Sequence, residues 1–159
     1  MLQLVISIAN QQLSLVDGEQ TLAIYSISTA LNGVGELKNS GCTPRGKHYI
    51  RAKIGSGLPV NAVFVGRRFT GEIYSSDLAA KFPQRDWILT RILWLSGCEH
   101  GFNRLGDKDS MQRYIYIHGT PDSEPMGIAR SHGCIRMRNS DMLELFERVS
   151  YGAPVFIQE

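Results

Sequence analysis

The sequence predicts a mainly β fold, a β-sandwich with a C-terminal capping helix, on three observations. Apolar and polar residues alternate in short bursts from the N-terminus onward, Asn, Asp and Gly mark the breaks, and a helical apolar stripe lies near the C-terminus. A chain of 159 residues can bury one good core, so residues 1–159 read as a single domain. Its 43% apolar, 20% charged and 9% aromatic content is that of a folded protein rather than a disordered or membrane-embedded one.

The first thirty residues run LQLVISI, QLSLV and TLAIYSI, broken at Asn10-Gln11 and Asp17-Gly18, the pattern of a β-meander with tight turns. Further strand signals fall at 47–54 (KHYIRAKI), 61–65, 69–74, 113–118 (RYIYIH) and 153–157. Residues 87–95, WILTRILWL, read as a strand or as a helix. The helix is better marked. Asn139 and Ser140 offer caps, Asp141 sits in the first turn, Met142, Leu145, Phe146 and Val149 recur at helical spacing, and Gly152 stops it. Connections 33–46, 96–112 and 119–133 exceed the usual length, and long ordered connections tend to carry function.

A formal charge of +2 with scattered Lys and Arg argues against a nucleic-acid partner or a polybasic membrane patch. No stretch has the length of a membrane span. The N-terminal MLQLVISIANQQL lacks the basic start and small-residue cleavage site of a secretory signal. The expected setting is therefore a reducing cytoplasm, with Cys42, Cys98 and Cys134 as free thiols.

Three short constellations carry chemistry. GCTPRGKH at 41–48 has the spacing of a phosphate-binding loop, but His48 stands where the Mg-binding hydroxyl belongs, Pro44 removes an amide, and a strand-like run follows. Cys98 with His100, and His132 with Cys134, are soft and imidazole pairs, yet neither has the spacing by which a knuckle or helical turn presents zinc ligands. No metal is expected. A thiol–imidazole pair fits better: Cys134 sits in a loop, His118 ends the strand-like RYIYIH, and the intervening loop can double back. Gly133 lets a substrate approach, and the amides of Gly133 and Cys134 could face an oxyanion. Pairing with His118 would lower the thiol pKa from about 8.5 toward neutrality. The plain alternative is a buried core thiol beside unrelated histidines.

The run IHGTPDSEPMGIARSHGCIRM resembles the signature of the L,D-transpeptidase catalytic domain, the YkuD-like family, in which a His and a spacer precede Ser/Thr-His-Gly-Cys. TPRGKHYI upstream and NSDMLELFERVSYGAPVFI downstream extend the likeness. The resemblance implies a β-sandwich of mixed sheets with one or two helices, and chemistry that needs no cofactor. It further implies Cys134 as nucleophile, His118 as base and the Gly119 carbonyl orienting the imidazole, with Ser131, His132, Gly133 and Arg136 completing the substrate and oxyanion pocket. Arg136 would clamp a substrate carboxylate; its plain alternative is a solvated surface Arg. The implied partner is a muropeptide or peptidoglycan stem peptide, and carbapenem-type β-lactams are implied acylating agents.

In that family chemistry the thiol attacks the carbonyl between the third, diamino acid residue and the following D-Ala, leaving a thioester. An amine acceptor gives a cross-link; water gives a tripeptide. Many such proteins carry export signals, and the N-terminus here has none, so the expectation is a cytoplasmic L,D-carboxypeptidase trimming recycled tetrapeptide muropeptides. The alternatives are a wall-cross-linking transpeptidase whose signal has been removed, and a catalytically silent muropeptide-binding module.

Overall fold

A computed structural model describes residues 1–159. Strands β1 (Leu2–Ser7), β2 (Gln12–Asp17) and β3 (Gln20–Ser28) form the expected antiparallel meander, turning at Gln11 and Gly18 with φ of 51° and 61°. They are followed by β4 (Gly46–Ile54), β5 (Ala62–Val65), β6 (Arg68–Ile73), helix α1 (Ser76–Lys81), β7 (Ile88–Gly97) and β8 (Tyr116–Thr120). Strand β9 (Ile135–Arg138), helix α2 (Asn139–Arg148) and β10 (Pro154–Gln158) complete the chain.

The fold is mainly β, with one mixed sheet of ten strands in the order β4-β10-β1-β2-β3-β9-β8-β7-β5-β6. A further β4–β7 pairing joins the layers of the expected sandwich into a ring, from which the β5–β6 hairpin projects. β1 runs parallel to β10, and β8 to β9; the other pairs are antiparallel. β7 is the junction: β8 lies on one edge, while β5 pairs with its beginning and β4 with its end on the other. It is buried on both faces along nearly all its length, which explains why WILTRILWL shows no alternation and forms a strand.

The principal core joins Leu4, Ile6, Leu13, Leu15 and Ile27 from the meander with Leu93, Leu95, Ile117 and Ile135, and α2 covers it with Met142, Leu145 and Phe146. Each such side chain contributes roughly 1.5–3 kcal/mol by leaving water. The stripe read at helical spacing is therefore the face that packs.

Some boundaries differ from expectation. Residues 112–114 turn, with Tyr114 at φ 57°, so β8 starts at Tyr116 and His118 lies within the strand rather than at its end. Strand β9 and helix α1 were not expected. α1 is capped by Ser75, whose hydroxyl accepts from the Leu78 amide, and buries no side chain, so it has no apolar stripe to read. In α2 the N-cap is Arg138 without a side-chain bond, and the helix ends at Arg148 ahead of Gly152. Asn139 does not cap because its amide is engaged in tertiary bonds. No helix is long and apolar enough to cross a membrane.

Candidate active site

Ile117 pairs with Ile135 and His118 with Arg136 across the parallel β8–β9 ladder. Side chains alternate along a strand, and Ile117 and Ile135 face the principal core. Tyr116, His118, Cys134 and Arg136 consequently share the other face, where Cys134 packs against Ala62, Phe64, Ile92 and Tyr116. Residues separated by the long loop thus meet across two adjacent strands.

His118 is buried, and its Nδ1 lies 2.6 Å from the Gly119 carbonyl. A carbonyl can only accept, so Nδ1 carries the proton and Nε2 keeps its lone pair. Burial holds the imidazole pKa below its ordinary value, with the Gly119 bond opposing, so the ring is neutral at pH 7. The orienting role expected of Gly119 has its hydrogen bond.

The half-buried Cys134 thiol donates to the Tyr114 carbonyl and accepts from the Tyr116 amide, both at 3.3 Å. Burial pushes its pKa up to about 12, the Tyr116 amide working in the opposite sense. The expected lowering toward neutrality is thus corrected: neither hydrogen bond of the thiol goes to His118, and the resting pair is neutral. A shared proton would require the ion pair that burial here disfavours.

The two amides expected to serve an oxyanion also differ. Gly133 N–H donates to Ser131 Oγ at 3.2 Å, whereas Cys134 N–H has no acceptor within the chain. Ser131 Oγ in turn donates to the Cys134 carbonyl, and Thr43 Oγ1 donates to the Gly133 carbonyl at 2.9 Å. These bonds fix the loop around the thiol. Gly133 sits at φ 132°, a conformation that requires glycine.

Arg136 is not a solvated surface residue. Its side chain is 9% exposed and reaches Asp86 at 3.2 Å and Glu124 at 3.7 Å. Exposed His132 reaches the other Asp86 oxygen at 3.2 Å. Asp86 therefore bridges two residues assigned to the pocket, and no local spacing in the sequence could have pointed to it.

Two clefts meet at His132. One, of about 250 Å³, is lined by Cys134, Gly133, Tyr114, Arg113 and Lys38. The other, of about 260 Å³, holds Arg136, Asp86, Glu124 and Arg85. Arg113 shapes the first by donating to the carbonyls of Gly35, Glu36 and Cys42, pinning the 33–46 connection beside the thiol. His48 lies elsewhere, buried in β4 with Nε2 2.8 Å from Ser110 Oγ; the GCTPRGKH run leads into a strand. No group of three or more His, Cys, Asp or Glu side chains is arranged to hold a metal ion.

Fold and site together define a class: a mainly β protein with a cleft-lining thiol, and beside it on the same sheet face a neutral imidazole fixed by a backbone carbonyl. The family model for the L,D-transpeptidase catalytic domain matches residues 2–157, and the chain belongs to that family. It is 25% identical over 148 residues to the putative L,D-transpeptidase YqjB of Bacillus subtilis, covering 93% of this chain and 66% of that protein. It is 48% identical over 48 residues to the probable L,D-transpeptidase YbiS of Escherichia coli K12, covering 30% of this chain and 16% of that protein. L,D-transpeptidase 3 from Mycobacterium tuberculosis, solved with a faropenem-derived adduct, shares the fold with a TM-score of 0.61 at 17% identity, covering 99% of this chain and 60% of that one. The chain spans less than two thirds of the length of each of these relatives.

Proposed function

We propose that this peptidoglycan-related catalytic domain is a thiol acyl transferase acting as an L,D-carboxypeptidase on tetrapeptide stems of soluble muropeptides, in the cytoplasm. The observation that carries the reading is the His118–Gly119 bond, which leaves Nε2 unprotonated on the face that Cys134 shares. On substrate binding, the thiol exchanges the Tyr114 carbonyl for Nε2. Sγ attacks the carbonyl carbon of the third residue as the thiol proton passes to His118. The Cys134 amide, unpaired in the resting protein, receives the oxyanion. Collapse returns the proton to the departing D-Ala amine and leaves a thioester; water, deprotonated by His118, then releases tripeptide and restores the thiol. Arg136 offers a cation, and His132 a ring N–H, to a substrate carboxylate once Asp86 yields them.

Water is favoured as acceptor because it is present at tens of molar, and an amine competes only where binding gives it a large effective concentration. Incubating the protein with disaccharide-tetrapeptide, and separately with sacculi, distinguishes the outcomes. Tripeptide and free D-Ala with little dimer support the proposal; predominant cross-linked dimer, or action on sacculi alone, overturns it in favour of the transpeptidase. Absence of any turnover, with binding retained, selects the silent module. A penem or carbapenem should add its mass to the wild type and not to Cys134→Ala.

A further inference from the structure

We propose that Asn139 and Thr90 are positioning residues that hold His118 in its Nδ1-protonated tautomer, acting through the backbone that flanks the Gly119–Thr120 peptide. The proposal rests on His118 serving as the base described above. The Gly119 carbonyl orients the imidazole, and the orientation of that carbonyl is set by the peptide plane joining Gly119 to Thr120. Asn139 holds the backbone on both sides of this plane, at the Gly119 Cα and at the next carbonyl. Its Nδ2 donates to the Thr120 carbonyl at 2.9 Å, and its Oδ1 occupies the space that a Gly119 side chain would fill, 2.4 Å from an ideal Cβ.

Asn139 is itself fixed on every side. Its Nδ2 also reaches Asn61 Oδ1 at 3.1 Å and Asp122 Oδ1 at 3.2 Å, while its Oδ1 accepts from Thr90 Oγ1 at 2.6 Å. Thr90 Oγ1 accepts in turn from the Asn61 amide at 3.0 Å. The backbone at Thr90 points to a purpose beyond packing. A β-branched residue at φ 75° within a strand is strained, and it lies where the β7–β8 register shifts between Leu89 and Ile92. The strain aims the hydroxyl at Asn139. Asn139 opens α2, directly after the short β9 that follows Cys134, so one chain segment presents the thiol at its start and secures the base at its end.

The test compares wild type with Asn139→Ala, Thr90→Val and Thr90→Ser, reading the ¹⁵N shifts of His118 to assign its tautomer and the pH dependence of Cys134 alkylation and of D-Ala release. The wild type should show Nδ1–H alone. Asn139→Ala and Thr90→Val should admit the Nε2–H tautomer and lower kcat about tenfold or more with KM little changed, as for other losses of an orienting partner. Thr90→Ser keeps the hydroxyl and should restore both readouts. Variants that melt earlier while retaining the tautomer and pH profile would overturn the proposal, leaving Asn139 and Thr90 as structural residues only. If Asn139→Ala does not fold, the Val and Ser variants at Thr90 decide. A wild type that shows the Nδ1–H tautomer without acting on stem peptides would refute the proposed function and leave the positioning network standing.

Discussion

At the scale of single residues, burial governs how the thiol and imidazole titrate. With the Cys134 pKa up at about 12, alkylation by a neutral thiol reagent should climb steadily through pH 9. A plateau near neutrality would instead reveal a standing thiolate–imidazolium pair. The proposed mechanism needs His118 neutral, and its pKa is held below the ordinary 6.5, so the acid limb of kcat/KM should fall below pH 6.5. His48 provides a second titration, one of stability. Burial lowers its pKa to about 4, so between pH 6.5 and 4 the unfolded chain takes up a proton that the folded one refuses. Stability from this group is complete above pH 6.5 and is lost as pH falls to 4, by about 3 kcal/mol. Urea unfolding at pH 7 and pH 4.5 should show that slope in the wild type and a smaller one in His48→Gln.

At the scale of elements, the 98–115 connection is held to the sheet by glycine as much as by hydrogen bonds. A Cβ on Gly97 would stand 2.0 Å from the Asn103 carbonyl oxygen, and Asn103 ties the connection to Arg45 and Lys47. Gly97→Ala should cost about 1–3 kcal/mol or more and displace Tyr114 from the thiol, measurable as a lower melting temperature and faster alkylation. What was legible in the sequence follows the same logic. The meander and α2 were readable because each buries one face against one core, so periodicity records it. β9 has only four residues, and α1 buries nothing, so neither carries a pattern. Cys134, His118 and Gly119 were found through a motif contiguous in sequence. Asp86, Arg113 and Thr90 come from distant segments that only the closure of the sheet brings near. Asn139 was seen but taken for a cap, since the same side chain suits a helix start and a tertiary network.

For the whole molecule, the ring is completed by the last strand. β10 lies between β1 and β4, so removing residues 154–159 should open the sheet and abolish the cooperative thermal transition; a truncated chain that still melts as one unit would refute this. Most contacts therefore join distant parts of the chain, and folding should be slow, on the order of milliseconds to seconds. The closure has another consequence, for association. A sheet rolled into a ring offers no row of unpaired backbone groups to a second chain, and here β6 is the one strand with a neighbour on a single side. Its outer row is guarded: Arg68 and Glu72 are charged, Gly71 bends the backbone at φ 89°, and the strand is short. Glu72 also holds Arg85 of the Arg136 cleft at 2.8 Å, so the cleaner change is Arg68→Val, which removes no partner of either cleft and turns that strand into a place where one copy can template the next. Resistance to aggregation in this fold is thus concentrated in a few residues of one short strand.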